Sequence, residues 1–591
     1  MVALVACALG LAAAVPAGAA NRATESLVSV GSPADTTSRN HQNEPVVAID
    51  AHDPDLLVAA ANDKLDQQPC PATFVAETAA CEPDNGVGIS GVYFSFDRGH
   101  TWTQPTYAGL TARDCVGPDA CVPHVGPISR IPWYYESGLV DAGDPSLAIG
   151  PRPVNGQFAW ANGSRVYYAN NTAPLRDFYD KTAPDLPGSV PLKGYQATGV
   201  SRIDNPTADS ITDQASWLPP VIVDRRQAQT TADDKDWIWA DNAETSHYFG
   251  HVYECNNDYR SNGHGQIPSA LMVSVSVDGG DTWTTRQAAA ANENGHGVNA
   301  WGLGACVIRT DSTGTVYLFS GREENPALVD RAPRGQIVMQ RSVDGGLTWT
   351  RPVGVLPTIS SPYVDPLSGW QVIDGYTGAR TGAAAPSVDI ANGAPDGTDA
   401  TDRLIVSWAN TGADDSTAGA MVSSSSDHGQ TWTQPQSVAL PGDRPLYSAP
   451  AISPSGDRAY VVYEAVTSGW LGSDTTSTRP YHGVFMSAPI TAAGIGAWSS
   501  EYAGPTADLR ATFPGGRLRE ERVGDYLSAT ASRSYGAGVW IDVRNAEVCP
   551  AVQDWRGASL AVGQPVMPPP SPLTSCPATF GNSDVYVATT G

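Results

Sequence analysis

The chain has 591 residues, with 61 acidic and 35 basic side chains and a formal net charge of −26. That balance excludes a general nucleic-acid binder, which needs a cationic footprint, and argues against a peripheral protein of anionic membranes, which would repel it. With 16% charged and 41% hydrophobic residues the chain is no disordered polymer, and 59 Gly, 47 Pro, 16 Trp and 22 Tyr suit many short strands joined by turns rather than a helical bundle.

In chain order, residues 2–15 form the apolar run VALVACALGLAAAV, and the small-residue stretch PAGAA follows, ending at Ala20. This pattern predicts a secretory signal peptide over 1–20 and an exported single domain over 21–591. No later stretch reaches the ~18 apolar residues of a membrane span. Eight cysteines remain beyond the leader, an even count that implies disulfides in an exported chain. Proximity favours Cys70–Cys81, Cys115–Cys121, Cys255–Cys306 and Cys549–Cys576, and the absence of any C-x-x-C argues against zinc.

The dominant signal is an internal repeat. The pattern S-x-D-x-G-x-T-W occurs at Ser95–Trp102, Ser276–Trp283, Ser342–Trp349 and Ser425–Trp432. Degenerate copies keep Asp204 with Trp217, and Trp498 alone. Tryptophans recur at a 66-residue step from Trp217 to Trp283 to Trp349, and again from Trp432 to Trp498. That length fits a four-stranded propeller blade with its loops. The longer interval from Trp102 to Trp217 predicts an insertion at about 170–235. Each box is a tight-turn device: the Asp accepts backbone N–H groups, the Gly supplies a positive φ, and the Trp starts the next strand.

Before each box an inner strand opens, at Glu44, Asp144, Asp236, Leu303, Ala385, Ala449 and Asp525, and second strands follow, as at Leu57, Val316, Leu404, Ala459 and Gly538. The seventh unit ends at Asp584–Ala588 without a box, and the segment from Ser26 is expected to supply its missing outer strand. No helix-period segment of useful length appears. The predicted class is therefore an all-β propeller of seven blades, with six as the alternative.

In such a ring the starts of inner strands and the ends of second strands crowd around the axis. Those positions carry Glu44, Asp144, Asp236 and Asp525, then Arg322, Glu323 and Arg544. Paired carboxylates can serve as general acid and as base or nucleophile, and Arg can clamp a substrate carboxylate. The acidic run Asp233-Asp234-Lys235-Asp236 offers hard oxygen ligands but lacks EF-hand spacing and reads as a solvated loop.

The S-x-D-x-G-x-T-W pattern is identified as the Asp box, or BNR repeat, typical of sialidases and related β-propellers. The resemblance implies a Tyr nucleophile, and Gly524-Asp525-Tyr526-Leu527-Ser528 resembles the segment around it. Gly321-Arg322 resembles the family's second arginine, and Asp141 or Asp144 stands for the acid/base. The first and third arginines have no counterpart: Asn43-Glu44-Pro45 and Ser416–Ala420 occupy their places. A cleft lined by Glu44, Asp144 and Asp236 would repel a sialic-acid carboxylate. The expectation is a secreted, monomeric, exo-acting glycoside hydrolase of sialidase-like architecture acting on a glycan or glycoconjugate other than a sialoside. Its catalytic candidates are Tyr526, Asp144, Asp525 and Asp236, its substrate-binding candidates Arg322, Arg544, Glu44 and Glu323, and no metal or cofactor is implied. The alternative is a non-catalytic carbohydrate- or protein-binding propeller.

Overall fold

A computed structural model describes residues 22–34, 39–68, 86–115, 122–175, 196–224, 231–261, 266–290, 304–324, 332, 334–365, 367, 371–373, 387–411, 418–469, 471–472, 474–512 and 523–591. Predominantly antiparallel sheets follow one another along the chain, and each begins with a strand that lines the axis. These inner strands are Gln42–Ile49, Ser146–Pro151, Thr231–Ala240, Gly304–Thr310, Ser387–Ile390, Arg444–Ile452 and Ser528–Ala531. Each packs on the next in cyclic order, and the last packs on the first, so the sheets form a closed seven-bladed propeller. The core lies between blades, where aromatic rings fill the wedge: Tyr460 stacks on Phe485, and Tyr502 on Trp540.

The ring is closed by its N-terminal strand. Thr24–Leu27 pairs antiparallel with Asp584–Thr589, which in turn pairs with Gly536–Asp542. The closing strand is also tied to both neighbours: Ser26 Oγ donates to Gly99 O of blade 1 at 2.5 Å, and Ala23 N donates to Glu501 O of blade 6 at 2.9 Å. Arg544 clamps it, donating to both Glu25 oxygens (2.6 and 2.8 Å) and to Asp542 (2.6 Å).

The four eight-residue turns are alike in their bonding. In the first, Asp97 Oδ1 accepts from Thr101 N (2.9 Å), Asp97 Oδ2 from Thr101 Oγ1 (2.6 Å), and Ser95 Oγ from Gly99 N (2.8 Å). The other three copies repeat these bonds around Asp278, Asp344 and Asp427. The hydrogen bonds from Thr431 and Ser425 lower the Asp427 pKa to about 2. Each turn also rests on the preceding blade, which is why its glycine carries no side chain. At Gly429, φ +79°, an added Cβ would lie 2.6 Å from Met339 Sδ of blade 4. All four turns sit on the lower outer rim, opposite the face where the inner strands begin.

The region expected as an insertion contributes strands Ala197–Asp204 and Trp217–Ile222 to blade 2; residues 176–195 and 225–230 lie outside the described residues. In this blade the degenerate copy replaces the tight turn: Asp204 binds Arg165 at 2.6 Å and Arg152 at 3.0 Å. The predicted signal peptide over 1–20 also lies outside the described residues. Of the expected disulfides, Cys255–Cys306 and Cys549–Cys576 are formed, and the other two pairings involve residues not described.

One departure from expectation is the helix Pro550–Val562. Its buried residues are Val552, Gln553, Arg556 and Ser559, so it carries no apolar stripe for a periodicity search to find. A disulfide at its N-terminus holds it, together with a buried ion pair from Arg556 Nη2 to Asp365 Oδ1 at 2.7 Å. Among the described residues no helix is long and apolar enough to cross a membrane.

Deleting residues 21–30 would leave the Asp584–Thr589 edge bare and Arg544 without Glu25. Calorimetry of that truncation is expected to show a Tm at least ~5 °C lower, and size exclusion is expected to show association through the free edge. An unchanged, monomeric transition would mean that the strand does not close the ring.

Candidate functional site

The upper mouth of the axis is built on a recurring backbone irregularity. Within or just before several inner strands one residue adopts a left-handed conformation: Glu44 (φ 57°), Asp144 (φ 52°), Lys235 (φ 58°) and Ala305 (φ 46°). The ladder slips at three of these points, between Asn43 and Val46, Asp234 and Trp237, and Gly304 and Cys306. Left-handed backbone at a non-Gly residue costs on the order of 1 kcal/mol or more. Ala305 shows that the irregularity belongs to the fold. What the chain hangs on it in the first three blades is Glu, Asp and Lys.

These side chains meet. Asn62 Nδ2 donates to Glu44 Oε2 at 2.9 Å, and Asn62 Oδ1 accepts from Asp144 N at 2.8 Å, so one amide bridges blades 1 and 2. Glu44 Oε1 accepts from Asp525 N at 3.1 Å, which ties in blade 7. From blade 3, Lys235 Nζ donates to Asp525 Oδ2 and lies 3.8 Å from Asp144 Oδ2. Lys235, Asp144 and Asp525 each keep between a tenth and a fifth of their side-chain surface exposed, while Glu44 is buried. Below them Tyr526 meets Trp237 edge to face at 6.0 Å, and its hydroxyl donates to Pro145 O at 3.1 Å.

The electrostatics separate the carboxyls. Burial and the neighbouring Glu44 push Asp144 up to about 7, against the pull of Lys235. Burial raises Asp234 to about 6, with Asp144 adding to the rise and Lys235 opposing it. Burial opposes the charge on Lys235, but Asp525, Asp144 and Asp234 outweigh it and hold the ammonium well above its ordinary pKa. Burial, with Glu44 and Asp144 nearby, raises the Tyr526 phenol well above its usual range.

The expected site residues thus divide. Glu44, Asp144, Asp525 and Tyr526 converge at the mouth. Asp236 lies behind it, buried beside Glu254, and burial with that neighbour raises its pKa. The acidic run Asp233–Asp236 is not a solvated loop but part of the inner strand Thr231–Ala240. No contact among the described residues joins Arg322, Glu323 or Arg544 to the cluster. Arg322 Nη2 donates to Gln336 at 2.6 Å, Glu323 accepts from Gln371 at 3.2 Å, and Arg544 clamps the closing strand. Asp141 is bound by Arg130, whose Nε also lies 3.1 Å from Asp66, and burial lifts Asp141 to about 6. Sequence reasoning missed Lys235 as a site residue, because its place among acids reads as a charge run until its backbone is seen.

Beneath the cluster the axis narrows to a cavity of about 100 Å³, walled by all seven inner strands. Arg309 lies across it, 4.5 Å from the Trp239 ring and 3.6 Å from Asp389. The segment from Asn392 to Asp399 crosses the lower end: Pro395 O accepts from Glu244 N (2.9 Å) and Trp160 Nε1 (3.3 Å), and Gly393 O accepts from Arg533 (2.6 Å). Among the described residues these bonds bridge the lower end of the axis.

No protein-family model matches the chain, and no curated protein resembles it significantly. Its structural neighbours include sialidases, trans-sialidases and a lectin. One is the intramolecular trans-sialidase of Ruminococcus gnavus, with 13% identity and a TM-score of 0.39 over 74% of this chain and 94% of that one. Another is the leech intramolecular trans-sialidase, with 13% identity and a TM-score of 0.36, of which 73% of this chain covers 65%. A lectin from Burkholderia pseudomallei has 12% identity and a TM-score of 0.40 over 85% of this chain and 94% of that one.

Replacing Lys235 with Met removes the cation shared by Asp144 and Asp525. Because the folded-state pKa of Asp144 is raised, folding favours its protonated form, and stability falls as pH climbs from about 4 through 7. Without Lys235 that loss deepens. Chemical denaturation is expected to find K235M close to the parent near pH 4.5 and about 2 kcal/mol less stable at pH 8. A difference independent of pH would mean that the ammonium does not govern these carboxyls.

Proposed function

We propose that the protein is a secreted, exo-acting glycoside hydrolase whose chemistry takes place at the upper hub. The observation that carries this reading is one ammonium, Lys235, in contact with two carboxyls, Asp144 and Asp525. Asp144, lifted to about 7, holds a proton at mildly acidic pH and is the general acid. Asp525, bonded to Lys235 Nζ and set in place by the Glu44 carboxylate on its backbone N–H, serves as base or nucleophile. Asp144 would protonate the leaving glycosidic oxygen while Asp525, or a water it activates, attacks the anomeric carbon. In this reading Tyr526 and Trp237 form the aromatic wall on which a sugar ring rests. Burial, with Glu44 and Asp144 nearby, raises the Tyr526 phenol well above its usual range, so it resists the deprotonation a nucleophile needs.

The bridged lower end supports exo action. The segment from Asn392 to Asp399 is bonded across the lower end to three other blades, so a glycan chain does not thread the axis and must enter by an end. The charge supports a neutral or cationic substrate. Among the described residues the hub's one lysine is already committed to Asp525, and Arg322 and Arg544 bind elsewhere, so none of them clamps a sialic-acid carboxylate. The leader sequence and two formed disulfides support export. The four rim turns, read as Asp boxes, are structural and take no part in the chemistry. A second reading, a glycan-binding propeller without turnover, draws on how fully the hub groups bond one another.

A screen of aryl glycosides that includes the sialoside decides between them. Turnover of a neutral or amino-sugar glycoside is expected, falling as pH rises through about 7 because the acid must carry its proton. Asp144→Asn is expected to lose about 10²-fold or more, and Tyr526→Phe less than tenfold. Turnover of the sialoside alone would overturn the substrate assignment. Binding without turnover of any glycoside would establish the second reading.

A further inference from the structure

Behind the mouth, between blades 2 and 3, lies a second group of acids that the hub chemistry does not use. Asp236 sits where the ladder slips between Asp234 and Trp237, so it has no paired residue across the strands. Glu254 lies on the second strand of blade 3, opposite Ile238 on one side and Ser274 on the other. Asp236 is 5% exposed, and Glu254 and Asn256 are fully buried. Glu254 Oε1 accepts from Asn256 Nδ2 at 3.0 Å and from Thr198 Oγ1 of blade 2 at 3.4 Å. That bond fixes the Asn256 amide with its oxygen turned away. Four buried oxygens are then left with no hydrogen-bond partner in the chain: both of Asp236, Oε2 of Glu254 and Oδ1 of Asn256. Among the described residues no Lys or Arg pairs with either acid. Lys235, the adjacent residue, directs its ammonium to Asp525 instead.

Such a group is costly as it stands, since buried polar atoms require partners and buried charge requires an opposite charge. All four orphaned atoms are acceptors, so a donor or a cation would satisfy them together. We propose that this pocket binds one hard divalent cation of the calcium class, with Asp236 and Glu254 supplying the charge and Asn256 Oδ1 a neutral ligand. Oxygen-only ligation disfavours zinc and other softer metals. Two carboxylates neutralise a divalent ion. Calcium suits this better than magnesium, because calcium accepts irregular oxygen geometry while magnesium demands near-ideal octahedral geometry, and these oxygens are fixed by strands. The ion would brace the left-handed turn at Lys235, and so hold the ammonium against Asp525.

The full chain, stripped with EGTA and refilled, tests the site without any assay of activity. Elemental analysis is expected to find one calcium per chain, and calcium at about 100 times its Kd is expected to raise Tm by about 2 °C, with a smaller rise for magnesium. Asp236→Asn and Glu254→Gln are each expected to abolish the calcium-dependent rise. No retained calcium and a Tm unmoved by calcium in the parent protein would overturn the proposal, whether or not the variants fold. So would one bound calcium surviving in the double variant.

Discussion

Closure of the ring is the constraint from which the rest follows. Seven twisted sheets can share an axis only if the first and last are joined, and here four residues, Thr24–Leu27, make that join by adding the outer strand to blade 7. The energetic burden falls on few groups: one short ladder, the Arg544 clamp on Glu25 and Asp542, and Ser26 on the first rim turn. Once closed, the ring has no free inner edge, and its inner strands pack so tightly that the axis holds about 100 Å³. The groups that could bind or react with a ligand then meet at the mouth, where inner strands from several blades open.

The mouth is shaped by strain that the fold repeats and the sequence exploits. A left-handed residue at the head of an inner strand turns its side chain off the ladder. In blade 4 that residue is Ala305, and nothing chemical comes of it. In blades 1, 2 and 3 the same backbone carries Glu44, Asp144 and Lys235, and in blade 7 Gly524 takes the positive φ so that Asp525 can follow. Residues distant in sequence thus share one proton-poised, partly solvated cluster, the environment in which carboxyl pKa values diverge.

Much of this architecture was legible in the sequence, for a physical reason. The rim turns need Ser, Asp, Gly, Thr and Trp at set positions, because each supplies a donor, an acceptor, a positive φ or a wedge, so their spacing counts the blades. The seventh blade was readable from what Asp584–Thr589 lacks and the N-terminal segment could supply. The helix Pro550–Val562 was not readable, since a disulfide and the Arg556–Asp365 pair hold it in place of an apolar face. At the site, the acids at strand heads could be named from sequence, but their partners could not. Arg322 and Arg544 carry the right chemistry for a clamp and are bound to Gln336 and to Glu25 instead. Lys235 reveals its role only through a backbone angle and a contact made across 290 residues of chain.

The proposed mechanism depends on Asp144 keeping its proton near neutrality beside the Lys235 ammonium. Difference infrared spectroscopy of the carboxyl stretch, titrated from pH 4 to 9 in the parent and in Asp144→Asn, measures this directly. The account predicts a protonated-carboxyl band that titrates near pH 7 and is missing in the variant. If the Asp144 band instead disappears below pH 5, the hub contains no acid poised for catalysis, which would contradict the mechanism proposed for it.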